Sequence, residues 1–513
     1  MSVKTFAAID VGSYELTMKI FEFSGRDSMK EIDCVSKRLD LGTDTYATGK
    51  ISNEKMDELC RTLKDFSDIM RTYRVKDYKA YGTSAIRETE NTTIVQDQIA
   101  QRTGIWVEVL GNAEQRFLDY KSAASKGVSF RKFIEEKTAI LDIGGGSIQV
   151  SLFDKDTLVS TQNLRLGVLR LQEYLNRFAV KSSNTEDMIN EIAMARLDTY
   201  KKLYLKDKEI RNLIVVDDYL SPWAVRKQEA GKGKKFLETG DFERLFEVLR
   251  SKNPVQIARA MEIAEERIPL VFISAVLIKN IAELMGIQRI WVPGVTLCDG
   301  IAYEYAEKIR MFVGEHDFEE DIIACAANIS KRYMGNRKRS DVLEKFTTII
   351  FDSMRKVHGL GKRERLYLRL AVMLHECGKY ISLVDIGETS FQIVMSTEII
   401  GISRQEREIV ANIVRFNHSK FVYDDQMGMG SMSRESFLVV AKLTAILRLA
   451  NSLDRSHKQK FSGLKAVLKE NQLILTVDTQ EDITLEKGFF EANSDFFKEV
   501  FSVEPVLKQR KIF

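Results

Sequence analysis

The sequence contains only five cysteines among its 513 residues, and no two of them form a Cys-x-x-Cys pair. Such scattered thiols exclude a disulfide framework and a cysteine-rich zinc site, and they favour a reducing compartment. No secretory leader is visible, because the first residues pass directly into a β-rich segment. These absences predict a cytoplasmic protein.

An excess of one charge and a long apolar run are also missing. The formal net charge is only +3, so the overall balance does not indicate nucleic-acid binding, and a polyanion site would have to come from local clusters. The most apolar stretch, residues 268–278, is interrupted by Pro269 and Ser274 and is too short to span a bilayer. The prediction is a protein that binds neither nucleic acid nor membrane.

The sequence does contain a repeated strand–turn–strand pattern. Residues 5–10 and 16–23 flank an Asp-Val-Gly-Ser turn, and residues 138–142 and 148–153 flank an Asp-Ile-Gly-Gly-Gly-Ser turn. Two such units, about 130 residues apart, indicate an internal duplication. Strands and helices then alternate to about residue 307, which predicts an α/β fold.

The remainder of the chain follows a different pattern. From about residue 317 to residue 453 apolar side chains recur at helical spacing, as in residues 443–450. The tail from residue 461 alternates again, with a predicted strand at 473–477 and a short helix at 494–501. The sequence therefore predicts an all-helical domain followed by a small α/β piece.

The two aspartate turns predict a phosphate and metal site. A strand that ends in Asp and continues into small residues lets backbone N–H groups approach a phosphate closely. Asp10 and Asp142 would then bind Mg²⁺, which offsets the charge of phosphoryl oxygens. Either turn alone fits a plain strand connection equally well, but the pair favours the functional interpretation.

These turns belong to an ordered set of motifs that resembles the exopolyphosphatase and guanosine pentaphosphate phosphohydrolase family. The set includes Asp10-Val-Gly-Ser13, Gly82-Thr-Ser-Ala-Ile-Arg87, Gly111-Asn-Ala-Glu-Gln-Arg116 and Asp142-Ile-Gly-Gly-Gly-Ser147, with further matches at 46–49, 166–171, 374–378 and 449–457. The resemblance implies two actin-like (ribonuclease H-like) lobes at 1–125 and 126–310, an HD-like helical domain at 311–460 and a small α/β domain at 461–513. It also implies a homodimer.

The resemblance further implies Mg²⁺-dependent hydrolysis of a terminal phosphoanhydride. Glu114 matches the glutamate that activates the attacking water, and Arg87 matches an arginine that contacts phosphate. Phosphate-binding positions carried over from the family are Gly12, Ser13, Gly144, Gly145, Gly146 and Ser147. Taken without the resemblance, Glu114 also fits a carboxylate that caps a first helical turn, and Arg87 fits a surface charge.

Several positions depart from the family pattern. Gln149 stands where the family usually has Glu, the usual pair of glutamates is reduced to Ala113-Glu114, and Tyr14-Glu15 replaces Asn-Ser in the first loop. An amide at 149 still orients a water molecule, as glutamine does in some GTPases. If the missing carboxylate served acid–base catalysis, the expected loss is about 10²–10⁴-fold.

The helical half carries a second, altered motif. Leu374-His375-Glu376 resembles the His-Asp signature of metal-dependent phosphohydrolases, with His358, His418 and Asp454 on either side. Glu376 replaces the aspartate, so we favour histidines that hydrogen-bond within a helical core over a metal site.

Three functions remain open on the sequence. The favoured one is an exopolyphosphatase that acts on inorganic polyphosphate, since the additional domains offer surface beyond the cleft. The second is hydrolysis of guanosine pentaphosphate, and the third is a non-catalytic sensor of either ligand.

Overall fold

The chain forms two compact units, Met1–Phe318 and Glu319–Phe513, in a computed structural model. The structure describes residues 3–25, 29–178, 184–206, 208–230, 236–311, 316–423 and 432–510. The division after Phe318 lies close to the predicted end of the second lobe at residue 310.

The first lobe is built on a five-stranded sheet. In chain order its strands are β1 (Lys4–Val11), β2 (Glu15–Phe23), β3 (Met29–Arg38), β4 (Asp77–Gly82) and β5 (Val107–Val109), and their spatial order is β3-β2-β1-β4-β5. The helices that follow or separate them are α1 (Leu41–Thr48), α2 (Asn53–Thr72), α3 (Ser84–Glu88), α4 (Thr92–Thr103), α5 (Asn112–Ala124) and α6 (Val128–Ile134).

The second lobe is built on a six-stranded sheet. Its strands are β6 (Thr138–Ile143), β7 (Ile148–Asp154), β8 (Thr157–Leu164), β9 (Asn212–Asp217), β10 (Leu237–Glu238) and β11 (Arg289–Trp291), in the order β10-β11-β9-β6-β7-β8. The helices are α7 (Val168–Arg177), α8 (Thr185–Tyr200), α9 (Ser221–Ala230), α10 (Thr239–Ser251), α11 (Pro254–Met261), α12 (Ile268–Met285) and α13 (Leu297–Lys308).

The two sheets share one topology, which confirms the predicted duplication. β1, β2 and β3 form an antiparallel meander, as do β6, β7 and β8. The next strand of each sheet, β4 or β9, then lies parallel to the first. Asp10 and Asp142 are the penultimate residues of β1 and β6, so each lies near the carboxyl end of a central strand, where α/β proteins usually bind ligands.

Helix α12 is the central helix of the second lobe's core. Its apolar side chains pack against the buried faces of β6 and β9, with Val271, Ala275 and Ile278 at most 1% exposed. The apolar run is longer than the sequence indicated, because Pro269 lies in the first turn of the helix, where proline is tolerated. By length and composition Glu265–Met285 could cross a membrane, but 72% of its most apolar window is buried inside the protein.

Helix α13 returns the chain to the first sheet. Leu297, Ile301 and Ala306 pack with Phe6 and Ala8 of β1 in one buried cluster. The predicted lobe boundaries placed this segment with the second lobe, whereas its apolar face covers the first.

The second unit is helical and ends in a small sheet, as predicted. Its helices are α14 (Phe318–Arg332), α15 (Arg337–Ser353), α16 (Arg355–His358), α17 (Lys362–Leu374), α18 (Ile386–Ser396), α19 (Arg404–His418), α20 (Arg434–Ser452) and α21 (Thr484–Phe501), and its strands are β12 (Gly463–Lys469), β13 (Gln472–Asp478) and β14 (Glu504–Arg510). Helix α21 starts at Thr484 rather than near residue 494, so the prediction of a short helix was wrong.

Candidate active site

The two aspartate turns lie against one cavity of about 370 Å³ in the first unit. Asp10, Gly12 and Ser13 line it from the β1–β2 turn, and Asp142, Gly144 and Gly145 line it from the β6–β7 turn. The structure thus brings together six of the residues that the sequence assigned to the site.

The two turns also contact each other directly. A Cβ atom on Gly145 would lie 2.8 Å from Cβ of Ser13, so the close approach requires glycine at this position. Arg170 donates from Nε to the carbonyl oxygen of Gly146 at 2.9 Å and also pairs with Glu88 of the first lobe. Gly146 and the buried Ser147 belong to the same turn but lie outside the cavity lining.

The cavity is strongly acidic. Among the residues that the structure describes, two basic ones line it, Lys19 and Arg267, against six carboxylate residues, which are Asp10, Glu15, Asp119, Asp142, Asp217 and Asp218. Lys19 is already paired with Asp299 at 2.8 Å. A phosphate chain therefore needs added cations to enter this cavity.

Burial shifts the acids of the cavity toward their protonated forms. It raises the pKa of Asp142 to about 7, and the nearby Asp218 carboxylate adds to this rise. The pKa of Asp10 is also raised well above its usual value, first by burial and then by Asp218. Asp217 differs because backbone N–H groups of Tyr219 and Leu220 donate to its carboxylate, which limits the rise in its pKa to about 6.

Two of these carboxylates have oxygens that suit a bound cation. Oδ1 of Asp10 and Oδ2 of Asp142 are buried, and no N–H or hydroxyl donor of the described residues contacts either oxygen. Among the described residues no three histidine, cysteine, aspartate or glutamate side chains form a complete metal cage. Mg²⁺ usually takes one or two carboxylates and completes its shell with water and phosphate oxygens, so the residues present fit Mg²⁺ bound together with a phosphate.

The raised pKa of Asp142 predicts how stability depends on pH without metal. Since Asp142 holds its proton to about pH 7 in the folded protein but only to about pH 3.9 when unfolded, the folded state binds more protons between these values. Its contribution to the free energy of unfolding therefore falls as pH rises from about 4 to 7. In EDTA, Asp142→Asn should gain stability relative to wild type between pH 5 and pH 8 in urea unfolding. A difference that stays constant with pH would contradict this.

Glu114 lies in the first turn of helix α5 and caps it. Its Oε2 accepts the backbone N–H of Gly111 at 3.0 Å, which is the capping role that the sequence left open. Its neighbour Gln115 lines the cavity, whereas Glu114 is outside the lining. Its role as general base stays a prediction.

The other two predicted catalytic residues lie outside the cavity lining. Arg87 donates to the carbonyl oxygen of Leu110 at 2.8 Å, to Oε1 of Gln115 at 3.1 Å and to Oγ of Ser84 at 3.0 Å. Ser84 and Gln115 line the cavity, so Arg87 lies immediately behind its wall. Gln149 is 2% exposed and lies directly opposite Asp142 in the β6–β7 ladder.

The histidines of the helical unit hydrogen-bond within its core, as predicted. His358 contacts the carbonyl oxygen of Phe351 at 2.9 Å, and His375 contacts that of Val372 at 2.7 Å. His418 contacts the carbonyl oxygen of His375 at 2.9 Å, and burial lowers the pKa of His418 to about 4.

A buried arginine lies among the acidic residues of the altered His-Asp motif. Arg339 is 2% exposed, pairs with Glu376 and lies 3.5 Å from Asp454. It also donates to the side-chain oxygen of Asn451 at 2.7 Å. A guanidinium thus supplies the positive charge between two carboxylates that a metal would otherwise supply.

Asp119, Asp217 and Asp218 are acidic cavity residues that sequence reasoning missed. Asp217 and Asp218 directly follow the apolar run of β9, and a strand that ends in two acids was a usable signal. Asp119 lies inside an ordinary helix and carried none.

Comparison with known proteins gives two family matches. The family model described as the Ppx/GppA phosphatase family matches residues 24–309, and the one described as Ppx/GppA phosphatase, domain III, matches residues 323–494.

Individual relatives are distant. Exopolyphosphatase 1 of Mycobacterium tuberculosis is 27% identical over 164 residues, which is 32% of this chain and 46% of that protein, so the match spans less than half of the relative. The guanosine-5'-triphosphate,3'-diphosphate pyrophosphatase of Vibrio cholerae is 20% identical over 489 residues, or 93% of each chain. An exopolyphosphatase structure from Cytophaga hutchinsonii aligns with a TM-score of 0.51 at 21% identity, covering 60% of this chain and all of that one, which supports the actin-like fold.

Proposed function

Because this chain belongs to the Ppx/GppA phosphatase family, we propose that it hydrolyses the terminal phosphoanhydride of inorganic polyphosphate with Mg²⁺. The observation that carries the proposal is the shared cavity of Asp10 and Asp142, each at the carboxyl end of a central strand. The exopolyphosphatase name of the mycobacterial relatives supports the substrate class.

In this proposal the acidic cavity binds its substrate only with metal. Asp10 and Asp142 would hold Mg²⁺, which offsets the charge of the phosphate oxygens and polarises the phosphoryl group. The N–H groups of Gly12 and Gly144 already donate to the carbonyl oxygens of Glu15 and Ser147, so other backbone N–H groups of the two turns would approach the phosphate, since glycine leaves room for that contact. Arg87 would keep its hydrogen bonds to Ser84 and Gln115 and so hold both side chains in the cavity wall.

Water must then be oriented for attack on the terminal phosphorus. Glu114 lies one residue from Gln115 of the cavity wall, and we assign it the role of proton acceptor. Its hydrogen bond to Gly111 fixes the side chain at the start of α5, where the helix dipole favours a carboxylate. Gln149 has no charge to offer, so it is assigned no proton transfer.

Guanosine pentaphosphate is the second candidate substrate. One wall of the cavity is apolar and aromatic, formed by Tyr14, Tyr219, Pro222, Val225, Val295 and Leu297. Such a wall suits a purine base better than a phosphate chain. The relative from Vibrio cholerae that aligns over 93% of this chain is named for a guanosine nucleotide substrate.

Phosphate release from graded substrates tests the proposal. The purified chain should release phosphate from polyphosphate in the presence of Mg²⁺, with no release in EDTA. Turnover of guanosine pentaphosphate alone would establish the second candidate instead. Tight binding of either ligand with no turnover would identify a sensor and refute the enzymatic proposal.

A further inference from the structure

Asp119 is a buried carboxylate on helix α5, in the middle of the cleft wall. It is 4% exposed, yet it lines the same cavity as Asp142. Helix α5 packs beside α13 on the first lobe, where its Leu118 joins the buried cluster around Phe6. Asp119, on a helix of the first lobe, therefore lines the same cavity as Asp142 of strand β6 in the second lobe.

A hydrogen bond between Asp119 and Asp142 requires a proton on one of the two carboxyl groups. Their side chains lie within hydrogen-bonding reach of each other, and among the described residues no other donor contacts Oδ2 of either one. Two ionised carboxylates offer only acceptors, and two buried like charges repel strongly. The pair is stable only with a cation or a proton between its oxygens.

A third unpartnered oxygen belongs to the neutral Gln149. Its side chain is only 2% exposed, and within the described ranges no donor contacts its Oε1. Gln149 lies directly opposite Asp142 in an antiparallel ladder, and opposite residues project from the same face of a sheet. A cation next to Asp142 would satisfy this amide oxygen as well, whereas a proton shared by the two carboxyl groups would not.

The number of negative charges around Asp142 is also kept, because the charge lost at position 149 is matched by one at Asp119. The family pattern has a glutamate where this chain has Gln149, so one negative charge is missing from β7. Asp119 restores one negative charge to Asp142's surroundings from the opposite lobe.

We propose that Asp119 and Gln149 bind the same divalent cation as Asp142, with Asp119 supplying the carboxylate that Gln149 no longer offers and Asp10 holding that ion through a water molecule. Two carboxylates and an amide leave positions for water and phosphate, which suits Mg²⁺. The inference rests on the Mg²⁺ dependence of the proposed function, but it concerns which residues bind the ion. Since Asp119 and Asp142 belong to different lobes, the ion also joins the two lobes.

Thermal unfolding of four full-length proteins tests this assignment. The set is wild type, Asp119→Asn, Gln149→Glu and the double variant, each in EDTA and across a Mg²⁺ titration, with Asp97→Asn at an exposed position of α4 as control. In EDTA, Asp119→Asn should keep or raise Tm, because the asparagine amide can donate to the Asp142 carboxylate without needing a shared proton. In Mg²⁺ the same variant should bind the ion at least about 10-fold more weakly, and the double variant should recover most of that loss.

Other outcomes would contradict the assignment of Asp119 or separate it from the proposed function. If Asp119→Asn keeps the wild-type Mg²⁺ titration, or if it lowers Tm in EDTA, Asp119 is a structural residue and the inference is wrong. If Mg²⁺ binding depends on Asp119 but neither substrate is hydrolysed, the proposed function fails while this assignment stands. If Mg²⁺-dependent hydrolysis is unchanged in Asp119→Asn, the assignment of Asp119 fails while the proposed function stands.

Discussion

Glu114→Gln should lower kcat for phosphate release by about 10²–10⁴-fold, the usual contribution of a positioned general base. Glutamine keeps an oxygen that can accept the N–H of Gly111, so the hydrogen bond at 3.0 Å that starts α5 is retained. Only the capacity to accept a proton is lost. Thermal stability should therefore stay near that of wild type, and the measurement is steady-state phosphate release beside a thermal melt.

Glu114→Ala is the matched comparison for the cap. It removes both the proton acceptor and the capping hydrogen bond, so we expect the same loss of kcat together with a stability loss of about 0.3–1.5 kcal/mol. If Glu114→Gln turns over at the wild-type rate while Glu114→Ala is merely less stable, Glu114 is a capping residue and the base lies elsewhere.

Asp10→Asn and Asp142→Asn should each reduce phosphate release by about 10²–10³-fold, the loss typical for removing one preorganised electrostatic contact. Each substitution keeps the side-chain shape but replaces a carboxylate that has a buried oxygen with no donor in contact within the described part of the chain. The variants should remain folded, because asparagine has the same shape and can itself donate to a neighbouring carboxylate. Activity at saturating substrate across a Mg²⁺ titration measures the effect.

Variants of two other aspartates distinguish loss of the metal site from general effects on the protein. Asp97→Asn, on the exposed face of α4, should leave activity unchanged. Asp217→Asn should mainly destabilise the protein, since its carboxylate accepts from Tyr219, Leu220 and Ser274. Equal losses of activity at Asp10 and Asp97 would rule out a specific role for the Asp10 turn.

Much of the fold was predictable because the same strand–turn–strand pattern occurs twice. Alternating strands around an Asp-Gly turn are local signals, and both were confirmed as β1–β2 and β6–β7. The start of α21 was missed because Gly488 interrupts its helical pattern. Packing against α20, with Phe490 and Phe497 buried, outweighs that cost.

The candidate site was predictable only where its residues belong to such turns. Asp10 and Asp142 carry a local signal, since each ends a strand before small residues. Asp119 has none, because its importance arises only when α5 is packed beside β6. The structural role of Arg339 was equally hidden, since one arginine in a basic stretch gives no sign of burial between two carboxylates.

A double-mutant cycle on Asp10 and Asp142 tests the central claim most directly, since it asks whether both turns act on one metal–phosphate complex. The apparent Mg²⁺ dissociation constant is measured with saturating polyphosphate for wild type, each Asn variant and the double variant. We predict that the double variant loses clearly less affinity than the sum of the single losses, because the first loss already disrupts the shared complex. Strictly additive losses, or single variants that bind Mg²⁺ like wild type, would contradict a site shared by the two lobes.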